Sequence, residues 1–362
     1  MRRVLMTASA LALGATAATA GGIERSTQSV GILFEKGNYV ELSFGGFNPD
    51  VSGSVGGGAA LSGDMAASYG SLSFGYKRAL TDQLDFALIY DQAIGADVDY
   101  PTGTGYPAQG STAEIDSHTL TALLRYKLPQ NISLIGGVRA LRTEGVVNLP
   151  AVAAYTMNST SETDFGYVLG VAWEKPEIAA RVALTYNSEI EHDFTYHESA
   201  DFSGVTGDSF ETVTIPKSVN LEFQTGVAKD TLLFGSIRWV DWKAFDITPT
   251  GYDSIPGQDS LVDYTENVTT YTLGLGRKFT ENWSGAVILG YEKHTGTPTG
   301  QLGPTDGFKS VGLAATYTRD NMKITGGLRY VDIGNATTNP LISGSFKDNS
   351  GWGAGIRVGY SF

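Results

Sequence analysis

Glu191, His192, Asp193, His197 and Glu198 crowd imidazoles and carboxylates into one short stretch. Those are the ligand types of zinc and related ions. Their spacing fits no ligand pair on one helix face, and the stretch reads as a loop, so no metal is expected. No serine sits in a nucleophile elbow with histidine and acid partners. No catalytic residue is therefore assigned, and no enzyme is expected. The glycine run from Gly53 to Gly58 lacks the βαβ setting of a dinucleotide fingerprint and reads as a loop; no cofactor is expected. A different set of charges says more. Glu41, Lys77, Arg125, Arg139, Arg181, Glu222, Arg238, Lys323, Arg329 and Arg357 all fall on the polar phase of alternating stretches. A guanidinium binds a carboxylate bidentately. Arg125, Arg139 and Arg238 are therefore candidate contacts for an acidic headgroup. The plainer alternative is that these charges pair and hold a wall in shape.

The elements that must position these charges are strands. In residues 215–246, Val219, Leu221 and Phe223 alternate with Asn220, Glu222 and Gln224. After the link Ala228-Lys229-Asp230, Leu233, Ile237 and Trp239 alternate with Phe234, Ser236 and Arg238. Period-two alternation joined by so short a link is an antiparallel hairpin. About ten residues, tilted near 45°, cross the hydrocarbon core of a bilayer. The pattern recurs at 38–47, 68–78, 84–94, 115–127, 132–143, 164–173, 178–190, 268–278, 283–291, 307–317, 322–331 and 351–362. Short links alternate with long ones. A soluble sandwich would give irregular loops instead. The expectation is an all-β chain: a transmembrane antiparallel β-barrel of about 14 strands, with short periplasmic turns and long extracellular loops. The last strand ends in Tyr360-Ser361-Phe362, a terminal aromatic of the kind that barrel-assembly machinery reads.

Composition agrees. The 362 residues carry a net charge of −13 and no cysteine, which excludes disulfides and thiolate sites. An acidic chain has no basic patch for nucleic acid. Arg2 and Arg3, a small-residue apolar stretch and Ala18-Thr19-Ala20 form a secretory signal peptide, residues 1–20. Residues 21–37 form a short preface and 38–362 the barrel. Within the preface Val30, Ile32, Leu33 and Phe34 make an apolar cluster. Ile32, Leu33 and Phe34 either offer a hydrophobic ligand a dry patch or anchor the chain to the barrel rim.

Pro216-Lys217-Ser218-Val219-Asn220-Leu221, followed by Trp239-Val240-Asp241-Trp242-Lys243-Ala244-Phe245, resembles the FadL/TodX outer-membrane transporters of long-chain fatty acids and aromatic hydrocarbons. Asn48-Pro49-Asp50, Asn282-Trp283 and the stretch 304–312 are also similar. The resemblance implies passive uptake of hydrophobic compounds, fatty acids by default, across the outer membrane of a Gram-negative bacterium. It implies capture among the outer loops and lateral release through a kinked third strand. Gly95, beside Ala93 and Ala96, is the candidate kink; alternatively it only begins a loop. Lipid and lipopolysaccharide would surround the wall. The family's Asn-Pro-Ala plug motif is missing here, so the preface reads as a plug remnant. That departure keeps two alternatives open: a general diffusion porin, and a structural or adhesive barrel.

Overall fold

The computed structural model describes residues 22–202, 204–339 and 342–362. The expected leader, 1–20, lies outside the described residues. Fourteen strands form the wall. They are β1 (Tyr39–Asp50), β2 (Tyr69–Ala79), β3 (Leu84–Asp91, then Ala96–Asp99), β4 (Thr112–Lys127) and β5 (Ile132–Leu149). Next come β6 (Tyr155–Ser159, then Glu162–Lys175), β7 (Ala180–Asn187, then Ile190–Ser199), β8 (Thr206–Ile215, then Ser218–Ala228) and β9 (Thr231–Val240). The circle finishes with β10 (Val268–Lys278), β11 (Trp283–Glu292), β12 (Phe308–Arg319), β13 (Met322–Ile333) and β14 (Asn349–Ser361). Each strand pairs antiparallel with its chain neighbours. β14 closes on β1 from Tyr39 opposite Ser361 to Asp50 opposite Ser350.

The faces follow the alternation. Leu42, Phe44, Leu169, Leu289, Leu313 and Leu328 stand exposed on the outside, while Lys77, Arg125, Arg139, Arg181, Glu222, Arg238 and Arg357 are buried inside. In lipid this inversion is required. A Lys or Arg facing the bilayer midplane costs about 2–4 kcal/mol. Aromatic pairs mark the two rims: Trp283 with Tyr317 and Tyr76 with Phe362 at the short-turn end, Tyr330 with Trp352 and Tyr271 with Tyr291 at the other. The turn between β8 and β9 places Asp230 at φ 56°, a conformation aspartate tolerates better than most residues.

Several strands run further than the sequence suggests. Residues 190–199 and 206–215, read as a loop, are paired from Ile190–Ile215 to Ser199–Thr206. Their outward positions, such as Glu191 and Asp193, are charged because this part of the wall faces water. The apolar outward signal vanishes there, yet the strand continues. His192 and His197 therefore lie on a strand, five residues apart and on opposite faces.

Two places in the wall lack a continuous ladder. Between β2 and β3 the pairing stops at Phe74–Tyr90 and returns only as the single bridge Ala66–Val98. Between β6 and β7 it stops above Val168–Asn187 and returns at Ser159–Tyr196. At the second break both Asn187 and Ser188 are buried, so the inward phase of β7 slips by one residue. The neighbouring Pro216, which interrupts β8, has no N–H to give to a ladder.

Insertion tags test the topology. An epitope placed after Gly57, Gly204 or Gly257 is expected to label on intact cells. One placed in the Lys175-Pro176 or Ala228-Lys229 turn should label only after permeabilisation. Equal labelling of both sets contradicts the orientation.

Candidate functional site

The lumen has two layers, and the N-terminal segment runs through both. At the short-turn end Gly31–Phe34 forms one 3-10 turn, with Leu33 fully buried. It packs against Ala87, Leu123, Ile135 and Val168 of the wall. The Arg125 and Arg181 guanidinium carbons each lie 4.3 Å from the centre of the Phe34 ring. Ile32, Leu33 and Phe34 thus sit in the wall's own packing, below the chamber described next, and none of them lines it.

On both sides of that turn the segment is held by polar contacts to the wall. Lys77 Nζ donates to the Gly37 carbonyl at 2.7 Å, and Lys323 Nζ stands 3.3 Å from a Glu35 oxygen. Arg125 Nη1 donates to the Leu33 carbonyl, and Arg125 also pairs with Glu174. Arg139 donates to Gln28, Ser29 donates to Glu222, and Asn220 Nδ2 reaches the Thr27 carbonyl at 2.8 Å. Arg238 Nε meets Glu24 Oε1 at 2.8 Å, while its Nη1 donates to Asn220 Oδ1 at 2.6 Å. The three candidate headgroup arginines, Arg125, Arg139 and Arg238, are all engaged by the segment, and two of them also by wall residues.

At its upper end the segment meets the break in β3. The Arg25 N–H donates to the Ala93 carbonyl at 2.9 Å, and the Gly95 N–H to the Ile23 carbonyl at 2.7 Å. The Arg25 guanidinium pairs with Asp97 and covers the Tyr69 ring at 4.2 Å. Gly95 is where the strand turns inward. A side chain there would begin 2.5 Å from the Arg25 guanidinium carbon, so glycine is needed for the close approach.

A chamber of about 640 Å³ lies above this layer, within the range of small-molecule sites. Phe47, Ile94, Leu149, Phe194 and Ile215 line it from the wall, and Phe245, Tyr252 and Leu261 from the long loop after β9. The Trp-Val-Asp-Trp stretch builds this side. Trp242, in the turn Trp242–Ala244, packs edge-on to Phe245 at 5.8 Å and lies 5.2 Å from Tyr264. It also leaves no room for a side chain at Gly22. Opposite, Tyr100 and Tyr106 stack at 5.6 Å and donate to the Gln301 carbonyl and side chain. Burial pushes the Tyr106 phenol up to about 12, and Tyr100 up as well, so both remain donors.

Charge in the chamber lining is lopsided. Glu24, Asp97, Glu114, Glu144, Asp259, Asp263, Glu266, Glu292 and Asp306 face two cations, Arg25 and Lys293. Burial raises the Asp263 carboxyl above its usual range, with Asp246 and Asp259 adding to the shift. His192 is buried behind the chamber, 2.8 Å from Asp164 across the β6–β7 break, whereas His197 pairs with Asp208 on the outside. Among the described residues no three histidines or acids converge on a metal position. Of the chamber lining, sequence reasoning singled out Gly95 and Ala96 and missed the aromatic and aliphatic residues. The alternation His192, Phe194, Tyr196 was the available signal.

Residues 36–293 match the family model described as outer membrane protein transport protein (OMPP1/FadL/TodX). The chain belongs to this family. The match begins at the end of the lumen segment. A FadL homologue of Pseudomonas aeruginosa superposes with TM-score 0.75 at 17% identity, covering 98% of this chain and 96% of the other. The toluene transporter TodX of Pseudomonas putida gives 0.65 at 12% identity, with 94% and 96% covered. The toluene transporter TbuX of Ralstonia pickettii gives 0.61 at 13% identity, with 91% and 90% covered. No curated protein matches. This FadL/TodX barrel is an outer-membrane protein of Gram-negative type, from a family that transports hydrophobic compounds and is not an enzyme family.

The Arg238–Glu24 pair tests the hold on the segment. Both side chains are over nine-tenths buried. Glu24→Ala or Arg238→Ala strands one charge and is expected to cost about 3–5 kcal/mol. The double variant should lose less than the sum, read as the gel heat-modification temperature.

Proposed function

We propose that this barrel carries uncharged hydrophobic molecules from the outer face into the chamber and releases them sideways through the β3 break. The observation that carries the reading is an apolar chamber whose wall is interrupted where Ile94 and Gly95 turn inward. Lateral release keeps the molecule dry. An exit through water would forfeit about 0.8 kcal/mol for each buried methylene.

The charge balance favours neutral substrates over fatty-acid anions. A carboxylate entering the chamber meets mostly acids, and Arg25 is already paired to Asp97. Arg125, Arg139 and Arg238 lie below the chamber with partners of their own. The segment threaded through the lumen stands against a general diffusion pore.

Uptake of radiolabelled toluene and laurate by a deletion strain, with and without the gene restored, tests the substrate class. Restoration should raise toluene uptake and leave laurate unchanged; a gain for laurate alone overturns the neutral reading. Gly95→Leu tests the exit. Its side chain displaces Arg25 from the break. A penalty of about 1.4 kcal/mol on that step lowers toluene uptake roughly tenfold, with the gel mobility of the folded barrel retained. Undiminished uptake rules out this exit.

A further inference from the structure

Glu292 ends β11 with its side chain turned inward, 3% exposed and part of the chamber lining. Its Oε2 accepts from Thr270 Oγ1 at 2.8 Å. Its Oε1 is buried and has no hydrogen-bond partner. Its ladder partners are Thr270 on β10 and Phe308 on β12, and Phe308 offers no polar atom from its side chain. On the same side of the chamber the hydroxyl of Thr299, in the loop after β11, is also buried without a partner. Buried polar groups in folded proteins are nearly always satisfied, and each exception calls for a cause. A carboxylate can only accept. What Oε1 lacks is a donor: the neighbouring Arg329 guanidinium acts on Glu292 through its charge, and no hydrogen bond reaches Oε1.

We propose that the missing donor arrives with the ligand: Glu292 is the polar recognition point of the chamber. The class it selects is a hydrophobic molecule with one neutral hydroxyl, a phenol or an alcohol, over the matching hydrocarbon. The ring or chain fills the apolar lining, and the O–H donates to Oε1. A site built to bond a hydroxyl discriminates strongly against the analogue that lacks it, because the site's own polar atom is then left bare. The acceptor also repels a carboxylate, in line with the lopsided charge of the lining. This inference rests on the chamber being the ligand site, as proposed above.

The test is equilibrium dialysis of the purified full chain in detergent against radiolabelled p-cresol and toluene, which differ by the hydroxyl. Wild type is expected to bind p-cresol at least tenfold more tightly. Glu292→Leu should bring the two affinities within about twofold and leave toluene binding intact or stronger. Thr270→Val removes the partner of Oε2 but leaves the carboxylate, and should keep the preference for p-cresol. Retained toluene binding by Glu292→Leu also shows that this variant has folded. A wild-type ratio near one, as when an ordinary water satisfies Oε1, overturns the inference and leaves the proposed function standing. So does a p-cresol preference that survives Glu292→Leu. Binding of neither probe by wild type overturns both.

Discussion

A wall in lipid can turn its charges only one way. Lys77, Arg125, Arg139, Arg181, Arg238 and Arg357 are driven inward, and the lumen must then neutralise what the bilayer refuses. The N-terminal segment meets much of that demand. Glu24 answers Arg238, Glu35 answers Lys323, and backbone carbonyls at Leu33 and Gly37 answer Arg125 and Lys77. The family model's match begins only at residue 36, whereas the superposed FadL homologue covers 98% of this chain and so takes in this stretch. The segment's path follows from its own polar residues and from the cations that the wall presents.

The two layers of the lumen divide the labour. In the lower layer, ion pairs and hydrogen bonds fix the segment to the wall. In the upper layer the inward residues become Ile94, Leu149, Phe194 and Ile215, and the interior dries out. The change happens where the outside changes as well. Higher on β7, the outward face gains Glu191 and Asp193, while the inward face gains Phe194 and Tyr196. β7 swaps its pattern as it leaves the membrane. A hydrophobic molecule thus finds burial inside the barrel at the level where burial outside ends.

That swap also explains what the sequence could and could not disclose. Strands whose outward residues are Leu, Val and Phe announced themselves, and the inward set from Glu41 to Arg357 followed from the same phase. The long-turn ends of β5, β7 and β8 did not, because charged outward positions look like loop. Gly95 was visible as an irregularity. That it is a point of close approach depends on Arg25, seventy residues away in the chain, and no local pattern encodes such a contact. The same holds for Trp242 against Gly22, and for Arg125, Arg139 and Arg238. Their inward direction was legible, but their partners on the segment were not.

In cross-section, the segment's contacts are spokes. Lys77 ties it to β2, Asp97 to β3, Arg125 to β4, Arg139 to β5, Asn220 to β8, Arg238 to β9 and Lys323 to β13. A hollow ring of strands can flatten into an ellipse at little cost to its ladders. A spoked ring cannot flatten without lengthening one of these bonds. The spokes nearest the β3 break are those of Glu24 and Arg25, which tie β9 on one hand and β3 on the other. The width of that break and the roundness of the barrel are therefore one mechanical variable, set by residues that precede the first strand.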